Sequence, residues 1–167
     1  MTEFYQPLHA WIASLQQNRD MLDKSDRRRI LEDFHTSRPV RDAFIMTVLT
    51  DRRGRDMDTL NGFINEPYTP DNENLMRKML EDDFHKPVDK ATKRRAQTVI
   101  GLLDGIIREA GGDRELVVQP LAVKSYVEWF TRNPNGLMDS RMALTLDDTC
   151  SLAEIVHTAY ECDMYRG

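Results

Sequence analysis

The sequence predicts an all-α protein, on three observations. Apolar residues recur three and four positions apart in segment after segment, and no run of period-two alternation stands between hairpin turns. Ser, Asp, Pro and Gly also fall where such segments would start and stop. The expected architecture is an irregular bundle of about seven to nine helices in which short connections force neighbours into antiparallel hairpins.

Phe4, Leu8, Trp11, Ile12 and Leu15 form the first stripe. Ile30, Leu31 and Phe34 form a short second one behind Ser25 as its cap. Ser37 caps a third helix that tolerates Pro39 in its first turn, buries Val40, Phe44 and Val48, and ends near Asp51. The stretch DRRGRDMDTLNGFINEPYTP mixes Gly, Pro, Asn and charge, and reads as a long loop with one helical turn around Thr59 to Ile64. Asp71 then caps a helix carrying Leu75, Met76, Met79 and Leu80, which stops around His85 before Pro87. The most regular stripe is Val99, Leu102, Leu103, Ile106, Ile107 and Ala110, terminated by Gly111 and Gly112. Three further helices are expected over Pro120 to Arg132, Pro134 to Leu146 and Thr149 to Met164. Val117 and Val118 could pass for a strand, but a lone strand leaves its backbone unsatisfied.

With 167 residues, 40% hydrophobic and 31% charged, the chain suits one domain with one core. Its expected parts are 1–112, the N-terminal helices, and 113–167, a helical hairpin plus a final helix. A net charge of −5 disfavours wholesale binding to nucleic acid or to an anionic membrane, where affinity comes from concentrated Lys and Arg. No stretch approaches the roughly 20 apolar residues of a membrane span, and the first residues carry neither a basic leader nor a signal-length apolar run. The two cysteines, Cys150 and Cys162, fall in one helical segment, about 18 Å apart at about 1.5 Å per residue, too far for a mutual disulfide. A cytoplasmic location is the expectation.

Toward the C-terminus, Trp129-Phe130 closes a helix before the Gly136 turn. Ala143, Leu144 and Asp147 then close the next, and Leu152-Ala153 opens the last. With Arg41-Asp42-Ala43 upstream, these residues resemble the C-terminal part of an actinobacterial family, domain of unknown function 4192. The spacing is also similar to a tetratricopeptide hairpin, in which Ala122, Ala143 and Ala153 would let helices approach closely. The resemblance covers about the last third of the chain, rests on packing residues and implies a fold, since that family brings no assigned activity. Asn133-Pro134-Asn135-Gly136 departs from the family's turn, and Asp148 stands where a tetratricopeptide often has Pro.

Candidate chemistry is sparse. Glu32-x-x-His35 and Glu154-x-x-His157 each present a carboxylate and an imidazole one turn apart, as metal-binding bundles do. Glu32, His35, Glu154 and His157 are therefore the candidate metal ligands, with Asp82-x-x-His85 a weaker third pair. The plainer reading of Leu31-Glu32-Asp33-Phe34-His35 and its echo at Leu80 to His85 is a helix end, where Phe seals the core and His meets free carbonyls. His157 lies on the stripe Cys150, Ala153, His157, Tyr160, Met164, too far from Cys150 for a nucleophile pair. Asp56-Met57-Asp58-Thr59 has the form of a phosphatase motif without the strand that such a motif needs. Arg27 to Arg29, Arg52 to Arg55 and Lys93 to Arg95 could converge on phosphate, yet each has acidic neighbours. No phosphate loop, zinc-type cysteine pairing or nucleophile elbow occurs in the sequence.

The leading expectation is thus an interaction or scaffolding module with no cofactor and no catalytic activity. Its partner would be a protein or peptide, and homo-oligomerisation is left open. A metal-dependent helical enzyme and a nucleic-acid-associated regulator are the alternatives.

Overall fold

The structure is a computed structural model, and it describes residues 5–166. Among the described residues it is all-helical, with nine α-helices and one 3-10 turn and no strand. The helices are α1 Pro7–Gln17, α2 Lys24–Thr36, α3 Arg38–Met46, α4 Met57–Asn65, α5 Pro70–Phe84, α6 Lys90–Glu109, α7 Arg114–Phe130, α8 Gly136–Leu146 and α9 Ser151–Glu161. The 3-10 turn, Arg52–Arg55, lies between α3 and α4. The expected contribution of Phe4 to the first stripe lies outside the described residues.

Helix α7 is the centre of the bundle, packing against α2, α3, α6, α8 and α9. Val118, Leu121, Val123, Val127 and Phe130 are buried around its circumference, as befits a helix enclosed on every side. It begins six residues earlier than Pro120, because Asp113 caps it by accepting from the N–H groups of Glu115 and Leu116. Pro120 therefore sits inside the helix, at a cost of about 3 kcal/mol that burial of the surrounding apolar residues offsets. Val117 and Val118 are helical.

Three other boundaries differ for reasons of capping. Asp23 rather than Ser25 caps α2, in a reciprocal box with Asp26. Thr69 rather than Asp71 caps α5, which places Pro70 at the first helical position. The expected loop after Asp51 contains all of α4, started by Asp56, whose carboxylate accepts from both the N–H and the hydroxyl of Thr59. The phosphatase-like tetrapeptide is thus a helix cap. Ser37 caps α3 as expected.

The core of the first three helices is aromatic. Tyr5, Trp11 and Phe34 all meet Phe44 edge-on, with centroids 5.9, 4.7 and 5.2 Å away. Trp11 donates its indole N–H to Thr47 Oγ1 at 3.0 Å. On α6, Val99, Leu102, Leu103 and Ile106 are buried, as their spacing predicts. At the far end, α8 approaches its neighbours through Gly136: a Cβ there would stand 2.8 Å from the Ser125 carbonyl oxygen and against the Tyr160 hydroxyl. Tyr160 donates that hydroxyl to the Asn133 carbonyl, tying α9 to the turn before α8.

Candidate functional site

The two Glu-x-x-His pairs occupy different helices, α2 and α9, and each is engaged locally. Glu32 accepts from Arg28 at 2.8 Å. His157 lies 3.6 Å from Glu161 and 3.5 Å from Arg141. His35 stands in the last turn of α2, and His85 is the C-cap of α5. Among the described residues no group of three or more His, Cys, Asp or Glu side chains is arranged to hold a metal ion, so the four candidates are not brought together in one. Cys150 is buried at the start of α9, and Cys162 is exposed at its end; neither is in a disulfide.

The basic clusters resolve into three different arrangements. Arg27, Arg28 and Arg29 pair with Asp20, Glu32 and Asp33. The second and third clusters do converge, through Arg55 and Arg95, but on backbone. Helix α3 ends at Met46 instead of near Asp51, and the carbonyls that follow are met by these two guanidinium groups. Arg55 donates to Thr47 and Leu49, and Arg95 to Val48 at 3.3 Å and Leu49 at 2.9 Å. Two cations at the negative end of a helix satisfy orphan carbonyls and its dipole together. Burial, helped by the nearby Arg55, lowers the Arg95 guanidinium to about 10.

Beside them lies a buried ion pair that no local pattern announces. Arg166 is 1% exposed and Asp83 also 1%, with guanidinium and carboxylate 3.1 Å apart. Arg166 also donates to the Lys86 carbonyl at 2.9 Å and the Thr50 hydroxyl at 3.3 Å, and lies 4.8 Å above the Phe130 ring. The facing Asp83 Oδ2 and Arg166 Nη1 are ion-paired without a hydrogen bond, and Asp83 Oδ1 accepts one from the Thr50 N–H. The segment after α9 reverses at Asp163, in the left-handed region with φ 52°, and Trp129 donates to the Met164 carbonyl at 2.7 Å. Residues 163–166 thereby strap the ends of α5 and α7 together.

A second polar cluster joins α6, α7 and α8. Lys124 bridges Asp104 at 3.0 Å and Asp139 at 3.2 Å. Burial lowers the Lys124 ammonium, but bonding to the two carboxylates outweighs it and the net shift is upward. Glu128 is 2% exposed, and its Oε2 has no hydrogen-bond partner. Burial, reinforced by Asp139, pushes the Glu128 carboxyl up to about 8.

Among the described residues, a groove of about 500 Å³ with a mostly apolar lining runs between the start of α3, the α4–α5 turn and the outer face of α5. Its apolar lining comes from Pro39, Phe63, Pro67, Tyr68, Met76 and Leu80. Neither a protein-family model, nor a curated protein, nor a solved structure matches this chain. The groove must therefore be read from its own residues.

Helix α5 is thinly packed for its fifteen residues. Met79 is its one fully buried apolar side chain, whereas Leu75, Met76 and Leu80 of the expected stripe are only partly covered. Tyr68 is 78% exposed although aromatic. On the rim, Arg77 pairs with Glu81 and Asp42 with Arg41, while Glu73 and Arg38 flank the apolar floor. The slot is thus apolar at its floor and charged at its edges, with Tyr, Met and Arg side chains around it. Sequence reading missed this site, because Pro39, Phe63, Tyr68 and Met76 lie on separate elements and meet only in three dimensions. Among the described residues, no helix is long and apolar enough to cross a membrane.

Proposed function

We propose that this chain is a helical protein-interaction module whose partner docks in the groove between α3 and α5. The observation that carries the reading is the half-covered apolar face of α5, Met76 and Leu80, continued over Phe63 by the exposed Tyr68. A surface helix normally spends its apolar stripe on its own core. Here part of the stripe is left for another molecule, in a concavity within the usual volume of binding sites. The tetratricopeptide-like spacing of the C-terminal helices supports the same reading.

Site-specific photocrosslinking tests this in the native host. A photoreactive residue in place of Tyr68 should give discrete protein adducts, whereas one in place of the exposed Gln97 on α6 should give none. Absence of adducts at position 68, or the same adducts from position 97, overturns the proposal.

A further inference from the structure

The charge of this chain is segregated rather than spread. Hydrogen bonds to the Leu49 carbonyl from both Arg55 and Arg95 hold the 3-10 turn against the start of α6. The Thr50 hydroxyl lies 3.2 Å from that of Thr92, and Arg166 reaches the Lys86 carbonyl, which brings the end of α5 to the same place. Residues 51–56 and 82–95 together with Arg166 gather nine bases and five acids, a net charge of +4. The whole chain carries −5, so everything outside this pole carries −9.

The five acids leave the outer cations unmatched. Asp51 is paired with Arg53 and Asp83 with Arg166, while Asp56 and Asp89 cap α4 and α6 by accepting from the N–H groups of Thr59 and Thr92. Asp82 is exposed, and its charge acts on Arg53. Arg52, Lys86, Lys90, Lys93 and Arg94 are all exposed, and none of them forms an ion pair among the described residues. Beneath them, Arg55 and Arg95 are bonded to carbonyls, which satisfy their N–H groups without cancelling their charge. The exposed face of α6 runs on from Lys90, Lys93 and Arg94 to Gln97, and the helix has no acid before Asp104, about 20 Å away at about 1.5 Å per residue.

We infer that this basic pole is a binding surface for the phosphodiester backbone of a nucleic acid. Affinity for phosphate comes from concentrated Lys and Arg and needs no apolar anchor. Among the described residues, none of the large exposed apolar side chains lies in these segments, whereas a protein interface or a membrane-adsorbed helix is built around such side chains. The negative remainder of the chain repels phosphate and restricts contact to this one face. The pole shares no residue with the α3–α5 groove, so either surface can be lost without the other.

Fluorescence anisotropy with the full chain and two labelled probes, a DNA duplex and a single-stranded RNA, tests it. At least one probe should bind with a Kd of about 10⁻⁴–10⁻⁶ M at physiological salt, the range of backbone contact without base recognition. The probe bound more tightly identifies the nucleic acid. With about four phosphates neutralised on the duplex, affinity should fall about 10²-fold between about 50 and 200 mM salt. Lys93→Gln with Arg94→Gln should weaken binding about tenfold or more at the lower salt and reduce the salt slope by about 2. Arg19→Gln with Lys24→Gln, which removes the same charge from exposed positions outside the pole, should leave binding unchanged. All four side chains are exposed and without ion pairs, and unchanged circular dichroism confirms the fold; Lys93→Ala with Arg94→Ala replaces the first double variant if it fails that check. No binding of either probe, binding indifferent to salt, or an equal loss from both double variants overturns the inference.

Discussion

Replacing Arg166 with Ala tests the most buried electrostatic contact in the molecule. The substitution removes the counter-charge of an Asp83 carboxylate that is 1% exposed and whose hydrogen bond comes from the Thr50 N–H. It also frees the Lys86 carbonyl and uncovers the face of Phe130. Breaking a buried pair from one side costs about 3–5 kcal/mol, because the surviving charge stays desolvated. That is a large part of the roughly 5–15 kcal/mol that holds a domain together. In urea, with an m value of about 2 kcal/mol/M, the unfolding midpoint should fall by about 1.5–2.5 M with m unchanged. The double variant Arg166→Met with Asp83→Leu should recover most of the loss, since both charges are then replaced by apolar volume. A loss under about 1 kcal/mol for Arg166→Ala, or a double variant no better than the single, would refute the claim that the 163–166 strap is docked in solution.

Two further outcomes follow from the α7–α8 junction. Glu128 is raised to about 8 from an unfolded value of about 4.3, so between those pH values the unfolded chain loses a proton that the folded chain keeps. Stability must then fall as pH rises through that window and level off above it; Glu128→Gln should flatten the fall in melting temperature between about pH 4.5 and 8, and an unchanged profile counts against the buried acid. Gly136→Ala places a methyl group against the Tyr160 hydroxyl and 2.8 Å from the Ser125 carbonyl, so it should destabilise by about 1–3 kcal/mol in thermal melts. An unchanged melting temperature would show that α8 can move away from α7 at no cost.

Helical periodicity was readable wherever one face of a helix meets one core. The α6 stripe from Val99 to Ile106 is the clearest case, and Ser37 capped the helix that it was expected to cap. Helix α4 was hidden because Leu60 and Phe63 are its main buried apolar anchors and Gly62, Asn61 and Pro67 surround them with turn-like composition. Pro120 misled in the opposite direction: proline ordinarily marks a start, and the burial that allows it inside α7 is tertiary. Asp23 and Ser25 are equally able caps two residues apart, and the choice between them was settled by Asp26 completing the box. The candidate metal pairs were legible as motifs, but i, i+3 spacing fixes only which residues share a helix face and says nothing about which helices meet. Arg166 and the groove lay beyond sequence reading for the same reason, since burial of a charge and convergence of Phe63 with Met76 depend on contacts between remote segments.

The arginine clasp on the end of α3 also sets an order of events during synthesis. Arg55 emerges within eight residues of the carbonyls it serves, but Arg95 follows Leu49 by 46. At about 5–20 residues per second a ribosome needs roughly 2–9 s to supply it. The aromatic cluster of Tyr5, Trp11, Phe34 and Phe44, by contrast, draws all its rings from the first 44 residues. The turn after α3 is therefore completed only by a side chain supplied 46 residues downstream of Leu49, so any chain that stops short of α6 keeps half of its clasp.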